Sequence, residues 1–516
     1  MNGELKPEKA KSSRPAWQIV IAALVFVLLL PPAVIGVLTY QAAAQRATIE
    51  RIKNLGVYID VEAAEPPDDA SMGGNLLALC HIDQVNYVAV AAPYDGDLDQ
   101  LVGAIADLRS AGAIHFEGLD VTDGHLQQLS RHRSVTSLDL QGTDVTDAGL
   151  AHLDRFNDLR RLDLQCTAIS DAAIDAIGRA KTLETVILRN SRVTQAGAQR
   201  LRQLLPEADI YASPAPSDSH WRVMRELMKR GVHVDVRGTY LRDDDGIRVH
   251  SNHGHPWAGF DWNNLVEIDG LKEASLAEID ANAAMAALER CPELQHLSLA
   301  KLKLDRATLG RIAACHSLRV LNLDDCQIAA SELSQVSKIE NLERLRVTRA
   351  TIDGDSLRSI LSLANLRYLH LWGCEIDNAA LAQVAPPHSL ESLCLWESNF
   401  SDEGLLGVMR WPSLTSLDAG WTKVTGTTLD QVENPSPNLV SIELVETEWT
   451  DEGMQHLSRW KNLQELRMAG TKVTEASVDA ILSLPHLKKG ALPDSVISAA
   501  GLQHAPGGEF QRENGR

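Results

Sequence analysis

Apolar positions recur along this chain with a fixed long period. From Leu294 the sequence falls into lines of 24 residues, "LQHLSLAKLKLDRATLGRIAACHS", "LRVLNLDDCQIAASELSQVSKIEN", "LERLRVTRATIDGDSLRSILSLAN", "LRYLHLWGCEIDNAALAQVAPPHS" and "LESLCLWESNFSDEGLLGVMRWPS". Three more follow, one with an extra residue, before a decayed ending from Leu487; an earlier set stands at 135–158, 159–182 and 183–206, after a partial copy from Ala111. The first, fourth and sixth places of each line are apolar, which is the alternation of a half-buried strand, and the eleventh is apolar again. Ser or Thr comes next, often followed by an acid, as in Thr146-Asp147, Ser170-Asp171, Ser401-Asp402 and Thr450-Asp451. A hydroxyl there caps a helix, and the carboxylate suits the helix's positive end. Each line therefore predicts a strand and then a helix. One such pair cannot bury both its faces, so neighbours must stack into a parallel sheet lined by helices.

The pattern resembles the leucine-rich repeat, Leu-x-x-Leu-x-Leu-x-x-(Asn/Cys)-x-Leu, over roughly 111–206 and 265–502. The ending "Val-Thr-Asp-x-Gly-Leu" at 145–150 is similar to the cysteine-containing, ribonuclease-inhibitor-like class, whose repeats carry a full helix. In that family the ninth place bonds to backbone in the turn. Here it is Cys326, Cys374 or a short hydroxyl such as Thr143, Thr167, Ser398 and Thr422, which suits the same task. Leu302 and Ala350 depart and predict weaker or water-assisted turns. The resemblance implies an α/β solenoid with strands on a concave face and helices on the convex face, and binding of a protein or peptide as the general role.

A coarser symmetry divides the array into two arcs. "IERIKNLGVYIDVE" at 49–62 recurs as "MRELMKRGVHVDVRG" at 224–238, each reading as a helix, a glycine stop and a strand. Each copy precedes a run of repeats and suits a hairpin that seals the exposed first edge. The resulting organisation is a tail at 1–16, a transmembrane helix at 17–40, a helical stalk and first capping unit at 41–110 and a first arc at 111–212. A Pro- and Ser-containing linker at 213–222, a second capping unit at 223–264, a second arc at 265–504 and a tail at 505–516 complete it.

The membrane assignment rests on "WQIVIAALVFVLLLPPAVIGVLTY", 17–40, which runs without a charge and is long enough to cross a hydrocarbon layer of ~30 Å. A cleaved signal peptide is the competing reading, although its apolar stretch would be unusually long. Lys6, Lys9, Lys11 and Arg14 before the span, against Arg46, Arg51 and Lys53 after it, give a slight bias to a cytoplasmic N-terminus. The repeats then lie on the extracytoplasmic side of a single-pass protein.

A formal net charge of −20 opposes phosphate backbones, so nucleic acid is excluded as an expected partner. The seven cysteines make no Cys-x-x-Cys pair and read as buried apolar residues rather than a disulfide framework. The loop 243–255, with Asp243, Asp244, Asp245, His250, His253 and His255, is the one stretch that suggests a metal. It lacks calcium-loop spacing, and a solvated hairpin accounts for it as well. No nucleophile elbow, phosphate loop or zinc-protease motif is present, so no enzyme activity, metal or small-molecule cofactor is expected.

The candidate site comes from the odd places. Because the fourth and sixth places point into the core, the third, fifth and seventh point to the concave face. Trp372 and Trp396 both hold a seventh place, with Arg344, Arg346, Tyr368, His370 and Asp418 on the same face and Trp421 one turn on. Aromatic and arginine side chains clustered on a rigid surface form a binding hot spot; the competing reading has the two indoles folding over to cover the core beside Gly373 and Gly420. Trp449, Trp411 and Trp460 read as core. The alternatives are an intracellular substrate adaptor, a metal-binding sensor or enzyme using 243–255, and an architectural protein that assembles through its helices.

Overall fold

The computed structural model describes residues 32–62, 84–109, 111–132, 134–213, 215–237, 246–250, 257–500 and 509–511. The chain forms two compact units that meet at Gly231/Val232. Residues 17–31 of the predicted span and most of the 243–255 loop lie outside the described residues, and residues 32–40 open the helix Pro32–Asn54. No helix among the described residues is long and apolar enough to cross a membrane.

Each unit is built on one long sheet whose strands follow chain order. The first has seven strands, from Tyr58–Glu62 to Asp209–Tyr211, and the second thirteen, from His233–Arg237 to Glu509–Gln511. Only the first pair in each sheet is antiparallel, Tyr58–Glu62 with Gln84–Ala91 and His233–Arg237 with Gly246–His250. Each of these edge strands follows a helix and a left-handed glycine, Gly56 at φ 76° and Gly231 at φ 77°, the conformation glycine adopts without a Cβ clash. The helix of the second copy, Asp218–Lys229, packs on the first unit, where Met228 closes over Gly118 and Gly142 and the Trp221 indole donates to the Thr167 carbonyl at 2.9 Å. The break therefore falls after this helix rather than in the 213–222 linker.

Equivalent places pair across the sheet: Leu321 stands beside Leu345, Leu345 beside Leu369 and Leu369 beside Leu393. The fourth- and sixth-place side chains, such as Leu369, Leu371, Leu393 and Leu395, are buried, each stabilising the stack by about 1.5–3 kcal/mol. Trp411, Trp449 and Trp460 are among the largest fully buried side chains. Trp449 needs Gly426, since a Cβ there would meet its ring at 2.6 Å.

Three features of the turns were not read from the sequence. The eighth place is left-handed turn after turn, including Gly142, Cys166, Asn190, Asp325, Arg349, Gly373, Glu397, Trp421 and Gly470. Its N–H reaches the seventh-place carbonyl of the next repeat, as Gly373 to Trp396 at 2.8 Å and Trp421 to Val445 at 2.8 Å. Second, ninth-place hydroxyls donate to the sixth-place carbonyl of their own repeat, as Thr143 to Leu140 at 2.7 Å and Thr422 to Ala419 at 2.6 Å. The thiols of Cys326 and Cys374 instead reach the carbonyls of Leu299 and Val347 in the preceding repeat, both at 3.4 Å. Leu302 and Ala350 replace them in two turns. Their carbonyls accept from Gln327 and Glu375 at 2.7 and 2.9 Å, and the residues beyond form two small extra ladders, Lys303–Leu304 with Gln327–Ile328 and Thr351–Ile352 with Glu375–Ile376.

The third feature adds to the reading of the helix-start acids. Each reaches into the following repeat and binds both the N–H and the hydroxyl of its cap residue. Asp123 holds Thr146 at 2.8 and 2.7 Å, Asp147 holds Ser170 at 2.7 and 2.6 Å, and Asp451 holds Thr474 at 2.8 and 2.7 Å. The glycine of Thr-Asp-x-Gly makes room for this bond, because a Cβ on Gly149 would lie 2.3 Å from the Asp123 carboxylate. The motif is thus an inter-repeat staple as well as a helix start.

Candidate binding face

The alternation that buries Leu369 and Leu371 turns Tyr368, His370 and Trp372 to the open face, and the strand Tyr368–Trp372 persists to the seventh place. Register then fixes the neighbours: Arg344 beside Tyr368, Arg346 beside His370, Thr348 beside Trp372, and onward His370 beside Cys394 and Cys394 beside Asp418. The next strand, Ser392–Cys394, is shorter, and Trp396 sits just past its end.

The cluster is knit by cation–π and ion contacts. The Arg344 guanidinium lies 4.2 Å from the centre of the Tyr368 ring, and those of Arg346 and Arg349 lie 5.8 and 5.6 Å from the Trp372 ring. Arg346 also pairs with Asp324 at 2.8 Å and Arg349 with Asp325 at 2.9 Å. The Trp372 indole N–H donates to Glu397 at 2.9 Å. The Trp396 indole lies over Gly420, where a Cβ would meet its ring at 2.7 Å. Both indoles are half-buried, so display and covering are combined: each leans on the next repeat and keeps part of its surface open. Trp421 lies off the strand, in the left-handed turn at φ 55°, and is 56% exposed.

Electrostatics differ along the face. Burial, with Arg346 beside it, pushes the His370 ring below its ordinary pKa. Burial and the Asp418 carboxylate push the Cys394 thiol up to about 12, so it is a neutral thiol that donates to Asp418 at 3.4 Å. Burial and then Asp418 also raise the Glu443 carboxyl.

Two further groups escaped the sequence reading. In the first unit, Asp139 and Asp163 are register neighbours on the open face, with His115 3.6 Å and Arg161 3.8 Å from them respectively. Burial, then Asp163, raises Asp139 to about 7, and burial raises Asp163. The signal was available, since "LDLQ" occurs at both 138–141 and 162–165 and puts an acid at the same fifth place. In the second unit Glu273 gathers Arg248 at 3.2 Å, His296 at 3.6 Å and His250 at 3.7 Å. The His296 hydrogen bond leads in holding its carboxyl below the usual range. His250 of the proposed metal loop thus faces an ion-pair network. Among the described residues no group of three His, Cys, Asp or Glu is placed to hold a metal. The described cysteines Cys166, Cys291, Cys315, Cys326, Cys374 and Cys394 are free thiols.

Stacked strand–helix turns on two long, mainly parallel sheets, with a hydroxyl or thiol closing most turns, define a solenoid repeat architecture. A family model described as Leucine Rich repeat matches residues 131–153 and 314–331. Both matched segments lie within the stacked turns, which have the leucine-rich-repeat architecture. Among solved structures it is similar to an internalin of Listeria monocytogenes at 14% identity over 72% of this chain and 89% of that one, with a TM-score of 0.30. It is also similar to a leucine-rich-repeat protein of Leptospira interrogans at 17% identity, covering 77% and 98%, with a TM-score of 0.36. The mouse RP105/MD-1 complex matches at 12% identity, covering 79% and 69%, with a TM-score of 0.37. No curated protein matches.

Proposed function

We propose that this protein is a membrane-tethered binding module of the cysteine-containing repeat class, without enzyme activity, that holds a protein or peptide on the open face of its second unit. Arg344, Arg346, Tyr368, His370, Trp372, Trp396, Asp418 and Trp421 are its contact residues. The observation that carries this is the in-register run Arg344–Tyr368 and Arg346–His370–Cys394–Asp418 flanked by half-exposed indoles. A rigid sheet presents such anchors with little ordering cost on binding. The apolar stretch 17–40 supplies the tether, with the repeats extracytoplasmic.

The test places a photocrosslinking residue at Ser392 or Ser416 on the open face, and at Gln455 on the helix side, in cells making the full chain. A discrete protein adduct is expected from the open-face positions, abolished by Trp372→Ala with Trp396→Ala. Adducts from Gln455 alone, or open-face adducts indifferent to the indoles, overturn the assignment. Protein that stays in the membrane fraction after deletion of 17–40 overturns the tether.

A further inference from the structure

The open face changes character after Trp372. The strands Ser392–Cys394, Ser416–Asp418 and Ser441–Glu443, with the turns behind them, present Glu397, Asp418, Glu443 and Glu446. Their third, fifth, seventh and eighth places hold no Lys or Arg. Asp418 and Glu443 are register neighbours. Of the arginines on the flanking strands and turns, Arg346 and Arg349 pair with Asp324 and Asp325, and Arg467, the register neighbour of Glu443, pairs with Glu465 at 3.0 Å. Serines at every third place keep the floor low beside two indoles, Trp396 lying over Gly420 and Trp421 mostly exposed.

We propose that this stretch receives a lysine or arginine side chain from an extended segment of a protein partner, seated against the Trp396 and Trp421 indoles with its charge at Asp418 and Glu443. The inference rests on the reading that the open face is the binding face. Charge complementarity selects the occupant: Arg467, the register neighbour of Glu443, offsets only part of the charge of Asp418, Glu443, Glu397 and Glu446, so an acidic segment is repelled, whereas a cation gains Coulomb attraction from the carboxylates and quadrupole attraction from the rings. Burial first, and then the Asp418 carboxylate, raise the Glu443 carboxyl, with Arg467 opposing them. Trp421 adds an independent sign. It sits at the left-handed eighth place, which elsewhere holds residues as different as Asn190, Arg349, Glu397 and Gly470, so the turn itself does not call for a tryptophan. A large aromatic ring with more than half its surface in solvent is accounted for by a partner.

The test uses the purified full chain in detergent and a fluorescein-labelled hexa-arginine peptide, with the hexa-citrulline peptide as the neutral isostere. Asp418→Asn with Glu443→Gln, and separately Trp421→Gly, are expected to weaken the arginine peptide at least tenfold while the thermal transition is kept. Glu403→Gln with Glu452→Gln makes the same charge change on the helix side of the same region, and is expected to leave binding within twofold. Equal loss in that control, equal binding of the citrulline peptide, or no binding at all overturns the proposal. Spermine bound as tightly as the peptide overturns the assignment to a protein segment. Open-face photoadducts that survive Asp418→Asn with Glu443→Gln overturn the cation while leaving the binding face standing; loss of all open-face adducts removes both.

Discussion

Asp402 decides whether the Ser/Thr-Asp pairs act through the helix dipole or through a bond to the next repeat. It opens the helix Asp402–Val408 and accepts from the Thr425 N–H at 2.8 Å, the Gly426 N–H at 3.0 Å and the Thr425 hydroxyl. Glu403, its neighbour in the same first turn, is exposed. If the dipole were the whole effect, Asp402→Ala and Glu403→Ala would each cost about 0.3–1 kcal/mol. Hydrogen bonds to a charged acceptor contribute about 1.5–3 kcal/mol each. The site is half-buried, so water replaces part of that, and about 2–4 kcal/mol is expected for Asp402→Ala. Urea unfolding of the full chain in detergent, with amide exchange to localise the loss, is the assay. The exchange increase should centre on Thr425 and Gly426, one repeat downstream of the mutation, and Thr425→Val should be strongly non-additive with Asp402→Ala. Equal costs for Asp402→Ala and Glu403→Ala, or additive effects at 402 and 425, would refute the staple.

Gly149→Ala tests the other half of the same device. Its Cβ would lie 2.3 Å from the Asp123 carboxylate, so a cost of about 1–3 kcal/mol is expected by urea unfolding, partly relieved by Asp123→Ala. Asp139 gives the first unit a pH dependence. Its folded-state pKa is raised to about 7, so the folded form holds the proton more tightly than the unfolded chain. That stabilisation is complete below about pH 4 and is lost as pH rises through 7, by on the order of 4 kcal/mol in the limit. Asp139→Asn should flatten the stability of the first unit between pH 5 and 8, read by amide exchange. Asp451 has the opposite sign: burial alone would raise its carboxyl, but hydrogen bonds from Ser477 and Thr474 outweigh it and hold it below its usual value. Its contribution is present above the unfolded-state pKa and is lost as pH falls through the folded one. Asp451→Asn should shift the acid-unfolding midpoint of the second unit upward.

Period and alternation were enough to place the strands, the helices and the inward leucines, because burial demands a side chain's direction and direction follows sequence parity in a strand. They also put Arg344, Tyr368, His370, Trp372 and Asp418 on one face, since parallel stacking makes equivalent places neighbours. The local chemistry of single repeats could not show what passes between repeats. That Asp123 holds Thr146, that the Trp396 ring lies over Gly420, that Cys374 reaches Val347 and that Leu302 belongs to a second ladder all depend on a residue about one repeat away. The same limit hid the shared burial of Asp139 and Asp163 and the left-handed turn that leaves Trp421 in solvent. Sequence fixes what each turn must bury, whereas bonds, ring contacts and field effects between turns exist only once the stack has closed and set the distances.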